Sequence, residues 1–185
     1  MGLLTFCLNV TLDGCTDHEV GVADEVTHAY FTNLMSSSGA MLWGRVTYEL
    51  MEAYWPAVAR GEIEATPALT EWARALETKT KYVVSSSRRE YSWTNTHLMH
   101  GDLRESVLRL KEQTPEGVLL GSGALAVALD RLNLIDEYRF LVQPFIAGRG
   151  PKLFAGGLSQ ARALELISAE PFSNGVVAVH YRRAS

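Results

Sequence analysis

The strongest constraint on this chain is a rhythm: short apolar runs end at a glycine or a hydroxyl-rich turn, and an amphipathic helix follows. Thr5 to Leu12 alternates Phe6, Leu8, Val10 and Leu12 with polar or small residues, a strand period that Asp13-Gly14 ends. Asp24 to Met35 carries Val26, Tyr30 and Leu34 at helical spacing, with Asp24 as N-cap. Gly39 to Trp43 reads as a buried strand broken at Gly44, with a helix starting near Thr47. Thr66-Pro67 supplies a cap and an N1 proline for a helix that lines Leu69, Trp72 and Leu76 on one face. Tyr82 to Val84 is the next strand and runs into Ser85-Ser86-Ser87-Arg88-Arg89. Asp102 to Gln113 is amphipathic through Leu103, Val107 and Leu110. Val118 to Leu120 then stops at Gly121-Ser122-Gly123, before an Ala/Leu-rich helix to Leu132.

After that helix the rhythm changes. Tyr138 to Ile146, Ala163 to Ile167 and Val176 to Tyr181 read as strands without intervening helices. Strand–helix alternation followed by a run of strands implies an α/β fold of three αβα layers, with a mostly parallel central sheet and antiparallel C-terminal strands. No linker is long enough to divide the 185 residues, so one domain spanning 1–185 is expected.

Composition narrows the function classes. With 47% hydrophobic and 21% charged residues the chain is of ordinary globular type. No run approaches the ~18 apolar residues of a membrane span, and Met1 to Cys7 lacks the basic start of a signal peptide, so a cytoplasmic protein is expected. The net charge of −4 offers no basic excess for nucleic acid, which leaves a small molecule as the expected partner. Cys7 and Cys15 lie too far apart along an extended segment, at ~3.3 Å per residue, to bridge, and read as packing residues. His97, His100 and Asp102 diverge on an extended stretch, so no metal is expected. Asp136 and Glu137 read as a cap of the preceding turn and the start of a strand.

In a parallel sheet, ligands collect beyond the C-terminal strand ends, where helix N-termini present unpaired N–H groups. Three such ends carry residues suited to a phosphorylated ligand. At Gly44-Arg45-Val46-Thr47, glycine allows close backbone approach, arginine offers a planar fork and threonine a capping hydroxyl. Ser85, Ser86 and Arg88 would suit a ribose phosphate. Gly121, Ser122 and Gly123 form a small-residue turn able to seat a pyrophosphate. Each is a common packing turn when met alone; three at successive ends of one sheet favour a dinucleotide. The two arginines tilt the choice towards the 2′-phosphorylated form. No Gly-x-Gly-x-x-Gly follows the first strand, so the usual Rossmann fingerprint is missing.

A family resemblance rests on residues taken in order. They are Leu12-Asp13-Gly14, Leu42-Trp43-Gly44-Arg45-Val46-Thr47-Tyr48-Glu49, Tyr54-Trp55-Pro56 and Lys81-Tyr82-Val83-Val84-Ser85, then Leu120-Gly121-Ser122-Gly123, Leu134-Ile135-Asp136-Glu137-Tyr138 and Gly148-Arg149-Gly150-Pro151-Lys152-Leu153-Phe154. Over residues 3 to 182 the chain resembles the dihydrofolate reductase-like superfamily, in particular the branch similar to the reductase domain of bifunctional riboflavin-biosynthesis proteins.

The resemblance implies an NADPH-dependent reductase with an eight-stranded-type sheet, acting as a homodimer. It implies Gly44, Arg45, Val46 and Thr47 at the cofactor phosphates. Ser85, Ser86 and Arg88 would surround the adenosine ribose phosphate, Gly121, Ser122 and Gly123 the pyrophosphate, and the Asp13-Gly14 loop would lie near nicotinamide and substrate. Dihydrofolate reductases keep a carboxylate on the first helix, where this chain has Val26-Thr27-His28-Ala29-Tyr30 and no acid. Asp13 and His28 are therefore the candidates to deliver a proton. The expected activity is hydride transfer to a small heterocyclic or carbonyl-bearing substrate. Two alternatives stand beside it: a riboflavin-pathway 5-amino-6-(5-phosphoribosylamino)uracil reductase, and an NADP-binding module without turnover.

Overall fold

The computed structural model describes residues 1–158 and 160–184. The chain runs β1 (Leu4–Thr11), α1 (Glu25–Ser36), β2 (Ala40–Gly44), α2 (Arg45–Glu52), α3 (Trp55–Ala59), α4 (Pro67–Thr78), β3 (Thr80–Val84), β4 (Thr96–Met99) and α5 (Leu103–Gln113). It continues through β5 (Val118–Leu120), α6 (Gly123–Arg131), β6 (Glu137–Gln143), β7 (Leu164–Pro171) and β8 (Val177–Arg183). The strands form one eight-stranded sheet in the order β4-β3-β2-β5-β1-β6-β8-β7. The pairs from β4 through to β6 are parallel; β8 enters antiparallel between β6 and β7.

This order positions the site. From β1 the chain steps outward through β2, β3 and β4, then returns to place β5 between β2 and β1, and crosses β1 to add β6. The reversal opens a crevice beyond the C-terminal ends of β2, β5 and β1. Side-chain alternation assigns the two layers. Leu4, Phe6, Leu42 and Leu120 pack with Val107 and Leu110 of α5 and Leu125 and Leu129 of α6. Cys7, Met41, Trp43 and Leu119 pack on the other side with Met35 of α1 and Trp72 and Leu76 of α4. Cys7 and Cys15 are both buried and free.

Buried charges tie the layers together. Lys81 is fully buried; its Nζ donates to the carbonyls of Leu76 at 2.6 Å and Lys79 at 2.8 Å, closing the C-terminal end of α4. Burial pushes its ammonium down to about 8. Asp136 accepts from the Leu4 N–H at 2.7 Å and pairs with Lys111 at 2.6 Å, so it fastens β1 to α5 rather than capping the turn before it. Glu137 pairs with Arg182 of β8 at 3.0 Å.

Four local readings shift. The helix after Gly44 begins at once, with Arg45 rather than near Thr47. Beyond the expected elements, α3 and the edge strand β4 are present. β6 stops at Gln143 instead of Ile146, because Pro144 has no N–H to continue the ladder. β7 continues past Ile167 to Pro171, with a bulge between Leu166 and Ser168.

Candidate active site

Two helices start directly from strand ends, side by side. Gly44 is the N-cap of α2 and Ser122 the N-cap of α6, and neither helix has a side-chain cap. The Ser122 hydroxyl instead links the two: it accepts from the Gly44 N–H at 2.9 Å and donates to Thr47 Oγ1 at 2.7 Å. The first-turn N–H groups of both helices are thus left without side-chain acceptors, and both positive dipole ends meet at one place. They open on a groove of about 500 Å³ lined by Gly44 to Thr47, Ser85 to Ser87 and Ser122 to Leu125, with Thr16 also on its wall. That volume falls in the range of small-molecule and cofactor sites.

The glycines sort by what a Cβ would meet. At Gly121 it would come within 2.9 Å of the Trp43 indole nitrogen, and Trp43 is 1% exposed, so this glycine serves packing. At Gly44 the nearest atoms would be 3.8 Å away, and at Gly123 4.0 Å. The fold itself therefore has room for a side chain at both positions facing the groove.

The arginines divide differently from expectation. Arg45 Nη1 lies 2.7 Å from Glu49 Oε2 one turn along, with the two side chains 41% and 38% exposed. Such an exposed pair is worth only ~0–1 kcal/mol and can yield to a better anion. Arg88 is held firmly: Nη2 is 2.8 Å from Glu52 Oε2, and the guanidinium lies over the rings of Tyr48 and Tyr91. It does not line the groove. Its backbone N–H donates to Ser85 Oγ at 2.9 Å, so that hydroxyl shapes the loop. The neighbouring Arg89 instead lines an adjoining cavity of about 420 Å³ that shares Ser85 and Ser86 with the groove and is closed by Met99 and His100. The Arg88-Arg89 pair was visible as sequence; which of the two faces outward is decided by Glu52.

The two proton candidates also part ways. Asp13 Oδ1 accepts from Thr11 Oγ1 at 2.6 Å and the Ala147 N–H at 3.0 Å, while Oδ2 accepts from the Gly148 N–H at 3.0 Å and pairs with Lys152. Lys152 above all, then the other donors, holds this carboxyl far below the usual carboxylate range. Through these contacts the carboxylate fastens the loop after β1 to the loop after β6. The loop still reaches the site, through Thr16. His28, on the first turns of α1, lies with Nδ1 2.9 Å from the Asp24 carbonyl and its ring 6.3 Å from that of Trp55. With the proton on Nδ1, Nε2 is left as the acceptor. His28 is not on the groove wall.

A polar pair went unnoticed in the sequence. Gln143, 1% exposed at the end of β6, donates to Asn9 Oδ1 at 2.9 Å and accepts from the Val22 N–H at 2.8 Å. A glutamine in line with the inward-facing Leu141 was its signal.

Residues 3–178 match the RibD C-terminal domain over nearly the whole chain. The chain belongs to the RibD C-terminal domain family. Among its relatives, the uncharacterized protein YyaP of Bacillus subtilis is 28% identical over 178 residues, 94% of this chain and 91% of that one. A putative riboflavin biosynthesis protein from Shewanella sp. PV-4 shares the fold with a TM-score of 0.77, at 19% identity and 99% coverage of both chains. A Thermotoga maritima diaminohydroxyphosphoribosylaminopyrimidine deaminase/5-amino-6-(5-phosphoribosylamino)uracil reductase gives 0.67 at 16% identity, covering 99% of this chain and 57% of that one. Enterococcus faecalis dihydrofolate reductase, in a complex with NADP(H), gives 0.64 at 15% identity over 100% and 98% of the two chains. This RibD C-terminal domain therefore has the dihydrofolate reductase-like fold, with its antiparallel end formed by β6, β8 and β7. Among its described residues no helix is long and apolar enough to cross a membrane.

Proposed function

We propose that this RibD C-terminal domain is an NADPH-dependent reductase that transfers hydride to a small heterocyclic or carbonyl-bearing substrate, working as a homodimer. The observation that carries the reading is the Ser122 bridge, which holds two uncapped helix N-termini beside one groove. That arrangement fits a pyrophosphate: free N–H groups, two positive dipole ends, and glycines at Gly44 and Gly123 where the fold would accept a side chain. Support also comes from fold neighbours described as a reductase and as an NADP(H) complex.

Each residue has a part to play. Gly44, Val46, Thr47, Ser122 and Gly123 seat the phosphates, with Arg45 free to leave Glu49 for them. Gly121 supports the turn from behind. Ser85 and Ser86 bound the ribose, and Arg89, in place of Arg88, meets a 2′-phosphate. Bound NADPH supplies the hydride, and the protein's contribution is alignment and exclusion of water. His28, with Nδ1 oriented by the Asp24 carbonyl, serves the substrate from the α1 side through Nε2, which must itself be protonated to donate.

The ribosylamino-pyrimidine phosphate of riboflavin synthesis is the first substrate to try, because a fold neighbour is described as its reductase. Val26 to Tyr30 of α1 hold no carboxylate, which favours one second reading, a dinucleotide-binding module without turnover. NADPH oxidation is followed with that pyrimidine, with dihydrofolate and with a panel of small carbonyl compounds. Turnover of any of them supports the reductase; NADPH binding without turnover of any supports the module.

A further inference from the structure

One stripe of α2 is apolar and open. Val46 and Leu50 stand one turn apart on the same helix face, and Tyr54 follows just past its C-terminal end. They are 66%, 48% and 40% exposed, on a helix whose inward side is filled by the buried Tyr48. Exposed apolar side chains scattered singly need no account, but a row of them does. Both ends of the row are fixed. Val46 is on the wall of the groove at the paired helix starts. At the other end the Tyr54 ring meets that of Trp55 edge to face at 5.0 Å, and Trp55 lies 6.3 Å from the ring of His28. A helical rise of ~1.5 Å per residue makes the row about 12 Å long. It therefore spans the distance from the phosphate end of the groove to the histidine that serves the substrate.

We infer that this row is one wall of the substrate chamber, that the substrate is an uncharged aromatic ketone or aldehyde without a sugar phosphate, and that Leu50 selects it. The inference rests on the reductase reading above, since the row lies between cofactor and proton source only if both sit where that reading puts them. An aromatic ring laid along Val46, Leu50 and Tyr54 removes apolar surface from water on both sides of the contact, and the Tyr54 ring adds an aromatic neighbour. A phosphate laid there would set a charge against apolar side chains with nothing to pair it. The nearby cations are engaged: Lys152 with Asp13, Arg88 with Glu52, and Arg45 with Glu49 at the phosphate end of the groove. Arg149, exposed on the loop after β6, is the cation left for a charged substrate to recruit. The carbonyl carbon accepts the hydride that bound NADPH supplies, and the oxygen takes the proton from Nε2 of doubly protonated His28. The products are the alcohol, NADP⁺ and a neutral imidazole.

The test is calorimetric titration of the protein saturated with NADP⁺, the oxidised form, so that no turnover intervenes. The probes are acetonaphthone, a neutral aromatic ketone, and uridine monophosphate, a pyrimidine with a ribose phosphate. Acetonaphthone is expected to bind about tenfold or more tightly than uridine monophosphate. Leu50→Glu sets a charge in the wall and is expected to weaken acetonaphthone about tenfold or more. Leu50→Met keeps an apolar side chain of similar volume and is expected to stay within about twofold of wild type. Both variants should melt cooperatively, because position 50 is exposed. The inference is overturned if acetonaphthone does not bind, if uridine monophosphate binds as tightly through Arg149 or any other cation, or if Leu50→Glu binds acetonaphthone unchanged. The nucleotide-induced melting shift is read on the same samples. Its absence in wild type removes the cofactor reading and this inference with it; a shift retained beside any of the contrary results removes this inference alone.

Discussion

Arg88 and Glu52 are joined at 2.8 Å, and the pair fixes the loop after β3 onto α2. Glu52 is held from two further sides, by the Tyr48 hydroxyl at 2.9 Å and Ser92 Oγ at 3.0 Å. Burial pushes the Tyr48 phenol up to about 12, so it stays a donor to that carboxylate. With one arginine committed to the protein, its neighbour Arg89 is the one left facing the cavity shared with Ser85 and Ser86.

The two arginines should therefore fail differently. Arg89→Ala is expected to weaken NADPH about tenfold or more and NADH little, since a charge-assisted phosphate contact is worth ~1.5–3 kcal/mol. Arg88→Ala should loosen the loop, weaken both nucleotides alike and lower Tm. Fluorescence titration of the two variants with both nucleotides separates these patterns; a selective NADPH loss in Arg88→Ala would reverse the assignment.

The glycines give a second contrast. Gly121→Ala forces a methyl against the buried Trp43 ring, an overpacking of about 1–3 kcal/mol that thermal unfolding should register as a drop of several degrees. Gly44→Ala and Gly123→Ala should melt close to wild type while losing roughly tenfold in NADPH affinity, ~1.4 kcal/mol. Unchanged NADPH binding in both would show that no ligand passes close to these backbones.

Asp13 and His28 should part in kinetics. Asp13→Asn weakens the Lys152 clasp, so it is expected to raise KM through the Thr16 loop and to leave the pH profile of kcat in place. His28→Asn should lower kcat about 10²-fold or more, in the range of a lost general acid, with NADPH binding unchanged. Steady-state rates across pH for both variants check this; a pH profile displaced by Asp13→Asn would return the proton to Asp13.

His180 gives the molecule a pH-dependent stability. Burial, helped by Arg139, holds its imidazole below the usual value. The unfolded chain then takes up the proton first as pH falls, so the stability contribution is complete above about pH 6.5 and declines below it. Glu137, whose carboxyl is also lowered, acts in the same direction but only nearer pH ~4.5. The urea midpoint should fall between about pH 7.5 and 5.5, and His180→Gln should flatten that fall. An equally steep fall in His180→Gln would place the effect elsewhere.

The sheet was largely legible because its central strands are buried on both faces and read as apolar runs closed by glycine or serine. What lay outside that signal was missed for definite reasons. β4 has no buried residue and so needs no apolar run of core type; β7 was read as a strand as far as Ile167, but with none of its eight residues buried nothing in the pattern carried it on to Pro171. At the site, Gly44, Thr47 and Ser122 could be picked out because helix starts carry their own residue preferences. The direction of Arg88 could not, since Glu52 and Tyr48 set it from another element. Asp13 read as an acid in the right loop, but its role depends on Lys152, 139 positions away.

The most direct test of the central claim is thermal unfolding of the protein alone, with NADPH and with NADH. At about 100-fold over Kd, a ligand adds roughly 2.7 kcal/mol. For a chain of this size that is a Tm rise of very roughly 5 to 11 °C, at ~2–4 °C per kcal/mol. The expected result is a clear rise with NADPH and a smaller one with NADH. No rise with either nucleotide would contradict the account, and the paired helix starts at Gly44 and Ser122 would then be packing turns.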